Sequence, residues 1–241
     1  MAFPEPISEY PARPVRRPAM FQGWEHISFL HWRYAADVIR QLLPQGLEPD
    51  TFDGSAWVGL TPFLLTGLRA PGTPALPWIS RFPEMNVRTY VIGPDGKRGI
   101  WFFLLEAARL HAVVGARISY RLPYRWAAMK VSEKAGCLEY SSRRHFGHGF
   151  ASIVIHPGAE IASGEQERFL TARFRLYTVI AGRLSFADVE HEPWLLQECE
   201  VLKCRQDVIA HSGLPAPQGD PLGHHSRGVH VRIGTPSFVR T

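Results

Sequence analysis

The chain has 241 residues, of which 45% are hydrophobic and 20% are charged. This balance is typical of a folded globular protein and excludes a chain that is disordered throughout. Lys and Arg exceed Asp and Glu by five, 27 against 22, and because the excess is not gathered into a block, we expect no nucleic-acid partner. No apolar run reaches the roughly 20 residues that span a bilayer, so we expect no membrane partner and a cytoplasmic location. The three cysteines, Cys137, Cys199 and Cys204, lack the spacing of metal ligands and suit free thiols.

The first part of the chain predicts an arm followed by strands. Five prolines within residues 1–19 fix the backbone and remove amide donors, so we expect an extended arm here and a single domain over 20–241. A strand over 24–32 precedes a short amphipathic helix over 35–42. Residues 55–68 are apolar on both alternating faces, which is typical of a bent strand within a closed sheet.

The remainder of the chain predicts mostly strands that pair with their neighbours. The expected elements, in chain order, are a hairpin of 84–91 with 100–105, a short helix over 107–114, a strand-rich stretch over 127–155, a helix that begins at a capping box of Ser163 and Gln166, two strands that flank Gly182, a surface loop over 213–228 and a final strand over 229–233.

A row of polar residues on the first hairpin strand is the most informative feature of the sequence. The two-residue period of a strand places Glu84, Asn86 and Arg88 on one face. This face is solvent-exposed in an ordinary antiparallel sheet. The partner strand over 100–105 is apolar on both faces, however, which favours a cavity lined by a carboxylate and a guanidinium that hold each other's charge and orient a ligand.

A second group of candidates follows the hairpin. Arg117, Tyr120 and Tyr124 offer a cation and two phenols that can bind a carboxylate or a carbonyl oxygen. Lys130 lies among apolar neighbours, where desolvation would favour a neutral, nucleophilic amine. The alternative for Lys130 is a strand lysine whose ammonium group reaches water along its own stem.

The histidines show no pattern of a metal site. The closest groups are His145 with His148, and His224, His225 and His230, but no HExxH or zinc-type Cys/His spacing occurs, so we expect these histidines in surface loops. The chain also lacks a G-x-S-x-G elbow, a P-loop and a dinucleotide-binding glycine motif. We therefore expect no metal, no cofactor, and neither hydrolase nor nucleotide-binding activity.

Several segments resemble the YqjF-like family, a domain of unknown function, and together they span nearly the whole chain after the arm. The matching segments are FLHW at 29–32, DGSAWVGL at 53–60, EMNVRTYV at 84–91, WFF at 101–103, AR at 116–117, LPY at 122–124, FLT at 169–171, RLY at 175–177, H at 191 and PW at 193–194. The resemblance implies an α+β, mostly antiparallel fold like that of acetoacetate decarboxylase, a cone-shaped β-barrel with peripheral helices and an internal pocket.

The same resemblance places the family's defining chemistry in doubt. The decarboxylases use a lysine that forms a Schiff base with a keto acid, next to a second lysine that lowers its pKa. Tyr124 and Arg125 stand where this lysine pair is expected, whereas Glu84 matches the pocket glutamate. Lys130 lies a few residues further on, and it would replace the missing lysine only if its strand delivered it to the same cavity.

Two functions remain open from the sequence, together with a purely structural or interaction role. The first is a binding barrel for a small organic acid or carbonyl compound, held by Asn86, Arg88, Arg117, Tyr120 and Tyr124. The second is a lyase-like enzyme that acts on a small keto acid through Glu84 as acid or base, or through a Lys130 imine. The sequence is also compatible with a homo-oligomer.

Overall fold

Strands make up 54% of the molecule and helices 11%. The structure, a computed structural model, describes residues 3–239. Its strands are β1 (Pro18–Tyr34), β2 (Glu48–Pro49), β3 (Ala56–Arg69), β4 (Phe82–Ile92), β5 (Arg98–Ala107), β6 (Tyr124–Lys134), β7 (Cys137–Arg144), β8 (Phe150–Glu160), β9 (Arg175–Ile180), β10 (Arg183–His191), β11 (Leu196–Gln206), β12 (Leu222–Gly234) and β13 (Ser237–Phe238). Its helices are α1 (Ala36–Arg40), α2 (Leu110–Ser119) and α3 (Glu165–Thr171), with a 3₁₀ turn at Ala210–Ser212.

Nine of the strands close into a barrel in the order β5, β6, β7, β8, β11, β12, β1, β3, β4. Neighbours in this ring are antiparallel except for β5 and β6, which are parallel. The strands β9 and β10 form a second connection between β5 and β12, because β9 pairs with the start of β5 and β10 with the end of β12. The predicted class, a mostly antiparallel barrel with peripheral helices, is confirmed.

The strands β1, β3, β4 and β5 lie between two hydrophobic cores and bury both of their faces. On β1, Ile27 and Phe29 join a core that includes residues of β9 and β10, whereas Leu30 and Trp32 join a core that includes residues of β7 and β8. Alternate side chains of a strand point to opposite faces, so each core takes every second residue. This explains why the sequences of β3 and β5 are apolar on both faces.

A β-bulge in β5 shapes the wall of the first core. Val87 of β4 pairs with Leu104, but the next residue, Arg88, pairs with Phe102, so Phe103 is the extra residue of the bulge. Without the bulge, Phe102 and Leu105 would point to opposite faces. With it, both line the same cavity beside β4.

The segment before β1 lies against the outside of the barrel. Glu5 accepts hydrogen bonds from the backbone N–H of Arg98 at 2.9 Å and from the Lys97 ammonium at 2.8 Å. The N–H of Val15 donates to Glu190 Oε2 at 2.7 Å. The arm is therefore held by specific polar contacts, and it is shorter than expected because β1 already begins at Pro18.

The predicted surface loop over 213–228 is wrong in its second half. The strand β12 begins at Leu222, and His224 and His225 are buried, not exposed in a loop. Ser28 Oγ lies 3.1 Å from His225 Nδ1, and His224 Nε2 lies 3.6 Å from Glu167 Oε1. Polar partners on neighbouring elements make this burial tolerable, and they are distant in the sequence.

Two helix boundaries also differ from the prediction. Residues 105–107 pair with β6, so the helix predicted to start at residue 107 begins only at Leu110. The N-cap of α3 is Gly164, not Ser163, and its backbone N–H donates to Glu167 Oε2 at 2.9 Å. None of the helices within residues 3–239 is long and apolar enough to cross a membrane.

Candidate functional site

A small internal cavity of about 70 Å³ lies in the first core, between β4, β5 and β9. Its apolar wall comes mainly from Trp24, Ile27, Phe63, Ile100, Phe102, Leu105, Leu122, Leu176, Val189, Trp194 and Ile233. Its polar lining consists of Gln22, Glu84, Asn86, Arg88, Tyr124, Thr171, Arg173, Arg175 and His191. A largely apolar enclosure with a few converging polar groups is typical of a ligand site.

The strand β4 carries three of these polar groups. Glu84, Asn86 and Arg88 are 5%, 5% and 4% exposed, and they alternate with Met85 and Val87, which pack into the other core. The strand pairs with β3 and β5, and because all residues from Glu84 to Val91 are buried, neither of its faces reaches solvent there. The polar row seen in the sequence therefore lines the cavity.

Glu84 is a buried carboxyl whose partner is a phenol. The Tyr124 hydroxyl donates to Glu84 Oε1 at 3.0 Å. Burial raises the pKa of Glu84 to about 8, and the hydrogen bond from Tyr124 opposes this rise. Burial together with the Glu84 carboxyl also raises the pKa of Tyr124 well above its ordinary value. At neutral pH Glu84 is therefore mostly protonated, and it can donate a hydrogen bond to a ligand.

Arg88 has no acidic partner among residues 3–239, and the expected charge pair of Arg88 with Glu84 is not formed. Its Nε and Nη2 are buried without a hydrogen-bond acceptor, as is Oδ1 of Asn86 without a donor. The guanidinium carbon lies 5.3 Å from the ring centre of Phe29 and 5.8 Å from that of Tyr90. These rings hold the cation in place, but they leave its hydrogen-bonding capacity unused.

The other two arginines of the cavity do have acidic partners. Arg173 Nη2 lies 3.0 Å from Asp50 Oδ2. Burial lowers the pKa of Arg173 to about 10, and Asp50 opposes this decrease. Arg175 contacts Asp95 at 2.8 Å and Asp188 at 3.0 Å. Arg173 and Arg175 therefore each contact a carboxylate, although Asp50 is shared with Arg98, whereas Arg88 contacts none among residues 3–239.

His191 and Trp194 form an aromatic wall of the cavity. The ring of His191 lies 4.8 Å from that of Trp194 and 4.8 Å from that of Phe174. Its Nδ1 lies 2.7 Å from the Glu192 carbonyl oxygen, so Nδ1 carries the hydrogen. Burial lowers the pKa of His191 to about 4. His191 is therefore a neutral imidazole at neutral pH, with Nε2 as an acceptor.

The remaining sequence candidates lie outside this cavity. Tyr120 is buried, but its hydroxyl donates to the Gly234 carbonyl oxygen at 3.0 Å. Arg117 is exposed on α2. Lys130 is exposed and does not line the cavity; it borders a crevice of about 10 Å³ whose lining also includes Glu84 and Met85. The condition set for a Lys130 imine, delivery of the amine to the same cavity, is therefore not met.

Several lining residues were not among the sequence candidates. Arg173 lies in the irregular segment between α3 and β9, where no periodicity marks it. His191 and Trp194 fall within segments that carry the family resemblance, which is the signal that points to them. Among residues 3–239 no group of three or more His, Cys, Asp or Glu side chains is arranged to hold a metal ion.

Comparison with known proteins identifies the family of the chain. Residues 21–230 match the DUF2071 family, described as an uncharacterized conserved protein. The uncharacterized protein YqjF of Bacillus subtilis (strain 168) is 38% identical over 212 residues, which cover 86% of this chain and 87% of that protein.

Solved structures with low sequence identity share the fold. The enduracididine biosynthesis enzyme MppR, complexed with pyruvate, matches with a TM-score of 0.64 at 14% identity and covers 94% of this chain and 93% of its own. An acetoacetate decarboxylase-like enzyme from Sphingomonas wittichii RW1 matches with a TM-score of 0.63 at 12% identity, over 94% and 95% of the two chains. The chain thus has an acetoacetate decarboxylase-like fold, and its sequence makes it a member of the DUF2071 family.

Proposed function

We propose that the barrel binds a small carboxylate, with the acid group on Arg88 and the rest of the ligand against the apolar wall. The observation that carries this proposal is the buried Arg88 guanidinium, whose Nε and Nη2 lack acceptors. A buried, unpaired charge costs several kcal/mol. A carboxylate can accept two parallel hydrogen bonds from a guanidinium, so it satisfies both the charge and the geometry.

The neighbours of Arg88 favour a ligand that also carries a carbonyl or hydroxyl group. Asn86 has a free acceptor in Oδ1, and the protonated Glu84 is a donor on the same strand. A volume of about 70 Å³ holds roughly five water positions at 10–15 Å³ each. The ligand should therefore be a short-chain acid of a few non-hydrogen atoms. The complex of MppR with pyruvate makes pyruvate a suitable probe.

Thermal shift and titration calorimetry with pyruvate, acetate and the neutral analogue acetone test the proposal. A ligand that binds only the folded state raises its stability, so we expect the acids, but not acetone, to raise the Tm. Arg88→Met should weaken acid binding at least tenfold, because charge-assisted hydrogen bonds contribute about 1.5–3 kcal/mol. The matched control is Arg117→Met, which removes an exposed arginine and should leave binding unchanged.

Equal affinity in the parent and in Arg88→Met would contradict the proposal. So would equal stabilisation by acetate and acetone, since a site without a charged anchor would not discriminate between them.

The raised pKa of Glu84 supports a second function, a lyase-like enzyme in which Glu84 acts as a general acid. With a pKa of about 8, the carboxyl holds its proton at neutral pH and can transfer it to the carbonyl oxygen of a bound keto acid, while water accepts the proton that leaves the methyl carbon to give the enol. Deuterium exchange at the methyl group of pyruvate, followed by ¹H NMR, would detect such activation. We expect Glu84→Gln to abolish this exchange. If the parent protein exchanges deuterium no faster than pyruvate does in buffer, the enzyme hypothesis is contradicted and binding is the function.

A Lys130 imine is a separable version of the enzyme hypothesis. Because Lys130 lies outside the cavity, we expect borohydride treatment with pyruvate to add no mass to the protein. A mass increase that is lost in Lys130→Met would reinstate the imine.

A further inference from the structure

The helix α2 presents an apolar stripe to the outside of the barrel. Leu110, Val114 and Ile118 recur every four residues, so they share one helix face, and they are 49%, 47% and 69% exposed. The adjacent face packs through Val113 into the core. The stripe is thus a surface feature that the barrel leaves partly uncovered.

The loop between β3 and β4 extends this stripe into a patch. Arg109 Nε donates to the Trp78 carbonyl oxygen at 3.0 Å, and His111 Nε2 lies 3.2 Å from the Ile79 carbonyl oxygen. Trp78 is 81% exposed. The outer patch consists of Leu76, Trp78, Ile79, Leu110, Val114 and Ile118. Two exposed apolar segments that such hydrogen bonds hold together are typical of an interaction surface.

The two segments that form the outer patch carry charge of a single sign. Segments 69–82 and 107–125 contain six arginines and no Asp or Glu, while the rest of the chain has 21 Lys and Arg against 22 Asp and Glu. These two segments therefore carry the whole positive excess of the protein. Arg81 contacts Glu25 of β1 at 3.3 Å, whereas Arg117 and Arg121 have no acidic partner among residues 3–239.

We propose that the outer patch is a docking surface for an anionic lipid bilayer. Arginines attract acidic headgroups, each by about 1 kcal/mol near the surface. Protruding Trp and aliphatic side chains insert at the boundary of headgroups and acyl chains. A second copy of the chain fits less well, because self-pairing would bring Arg117 and Arg121 of two patches together. The proposal also gives a role to Arg117, which does not line the cavity.

This inference differs from the expectation of no membrane partner drawn from the sequence. That expectation rested on the absence of a spanning segment. Peripheral docking needs only a basic surface with a few protruding apolar side chains, and these come from two segments that the fold brings together.

Sedimentation with lipid vesicles tests the proposal on the full-length protein. We expect binding to vesicles of phosphatidylcholine and phosphatidylglycerol in a 2:1 mixture, none to phosphatidylcholine alone, and release when salt is raised from about 50 to about 500 mM. Arg117→Gln and Arg121→Gln should each weaken binding roughly fivefold. The double variant Trp78→Ser, Ile118→Ser should abolish it while charge is kept.

Matched controls on β11 separate the patch from general surface effects. Leu202→Ser and Arg205→Gln remove one exposed apolar and one exposed basic side chain, and neither should change vesicle binding. Circular dichroism verifies the fold of each variant. Equal binding to both kinds of vesicle, or binding unaffected by the patch variants, would overturn the proposal. So would no vesicle binding together with a dimer that Ile118→Ser dissociates, which would make the patch an interface between copies.

Discussion

The barrel buries charges in two places, and they differ in how those charges are balanced. Beside β6 and β7, Glu106 is 1% exposed and accepts hydrogen bonds from Arg144 Nε at 2.6 Å and from the Ser142 hydroxyl. Beside the cavity, Arg88 and Glu84 are equally well buried, but Arg88 contacts no carboxylate and Glu84 contacts only the Tyr124 phenol. The first group pairs a cation with a carboxylate, although Arg144 Nη2 has no hydrogen-bond partner, whereas the second leaves a guanidinium without any carboxylate.

The largest effect on stability should come from breaking the ion pair of Glu106 with Arg144. Glu106→Gln keeps the shape of the side chain and removes its charge, which leaves the buried Arg144 guanidinium uncompensated. We expect the free energy of unfolding to fall by roughly 3–5 kcal/mol, measured by urea denaturation. A loss below about 1 kcal/mol would mean that this pair is not balanced inside the protein.

A pH-dependent loss of stability should arise from Glu84. In the unfolded chain Glu84 loses its proton near its ordinary pKa of 4.5, whereas the folded protein retains it up to about 8. The folded state therefore binds more protons in this interval, and stability falls as pH rises from about 4.5 to 8. At about 1.36 kcal/mol per pKa unit, the parent should lose roughly 4 kcal/mol across this interval relative to Glu84→Gln.

Two buried histidines change the stability in the opposite direction with pH, but their contributions cancel when the parent is compared with Glu84→Gln. Burial lowers the pKa of His191 and His225 to about 4, so their contribution is lost as pH falls from about 6.5 to 4. Both variants carry them. Parallel stability curves for the parent and Glu84→Gln would show that Glu84 ionises normally.

Removing the unpaired cation should have a smaller effect, with the sign reversed. Arg88→Met replaces a buried, unpartnered charge by an apolar side chain of similar length. In ligand-free protein we expect stability to remain unchanged or to increase by about 1–2 kcal/mol, in contrast to Glu106→Gln. Destabilisation of more than about 2 kcal/mol in urea denaturation would show that Arg88 is balanced within the protein after all.

The smallest effect should follow loss of the phenol at the cavity. Tyr124→Phe removes a hydrogen bond that favours ionised Glu84, so the pKa of Glu84 should rise further, and stability should fall by about 1 kcal/mol. Tyr120→Phe is the matched control, because that hydroxyl bonds the Gly234 carbonyl oxygen. It should cost a similar amount without moving the pH dependence. Identical pH profiles in both variants would contradict the link between Tyr124 and Glu84.

The alternation on β4 could be predicted because it depends on local periodicity. Glu84, Asn86 and Arg88 share a face in any strand, and the two-sided apolar partner strand implied that this face is covered. The charge partners could not be predicted from the sequence. Asp50 pairs with Arg173, 123 residues away along the chain, and with Arg98, 48 residues away. Only the closure of the barrel brings these side chains together. The burial of His224 and the distance of Lys130 from the cavity depend on the same long-range closure.

A crystal structure of the protein soaked with formate, the smallest carboxylate, tests the role of Arg88 most directly. We predict formate oxygens about 2.7–2.9 Å from Nε and Nη2 of Arg88, with the Glu84 carboxyl and Asn86 beside them. A cavity that holds only water under these conditions, or an Arg88 side chain that turns to a protein carboxylate, would contradict the assignment of Arg88 as the anion-binding residue.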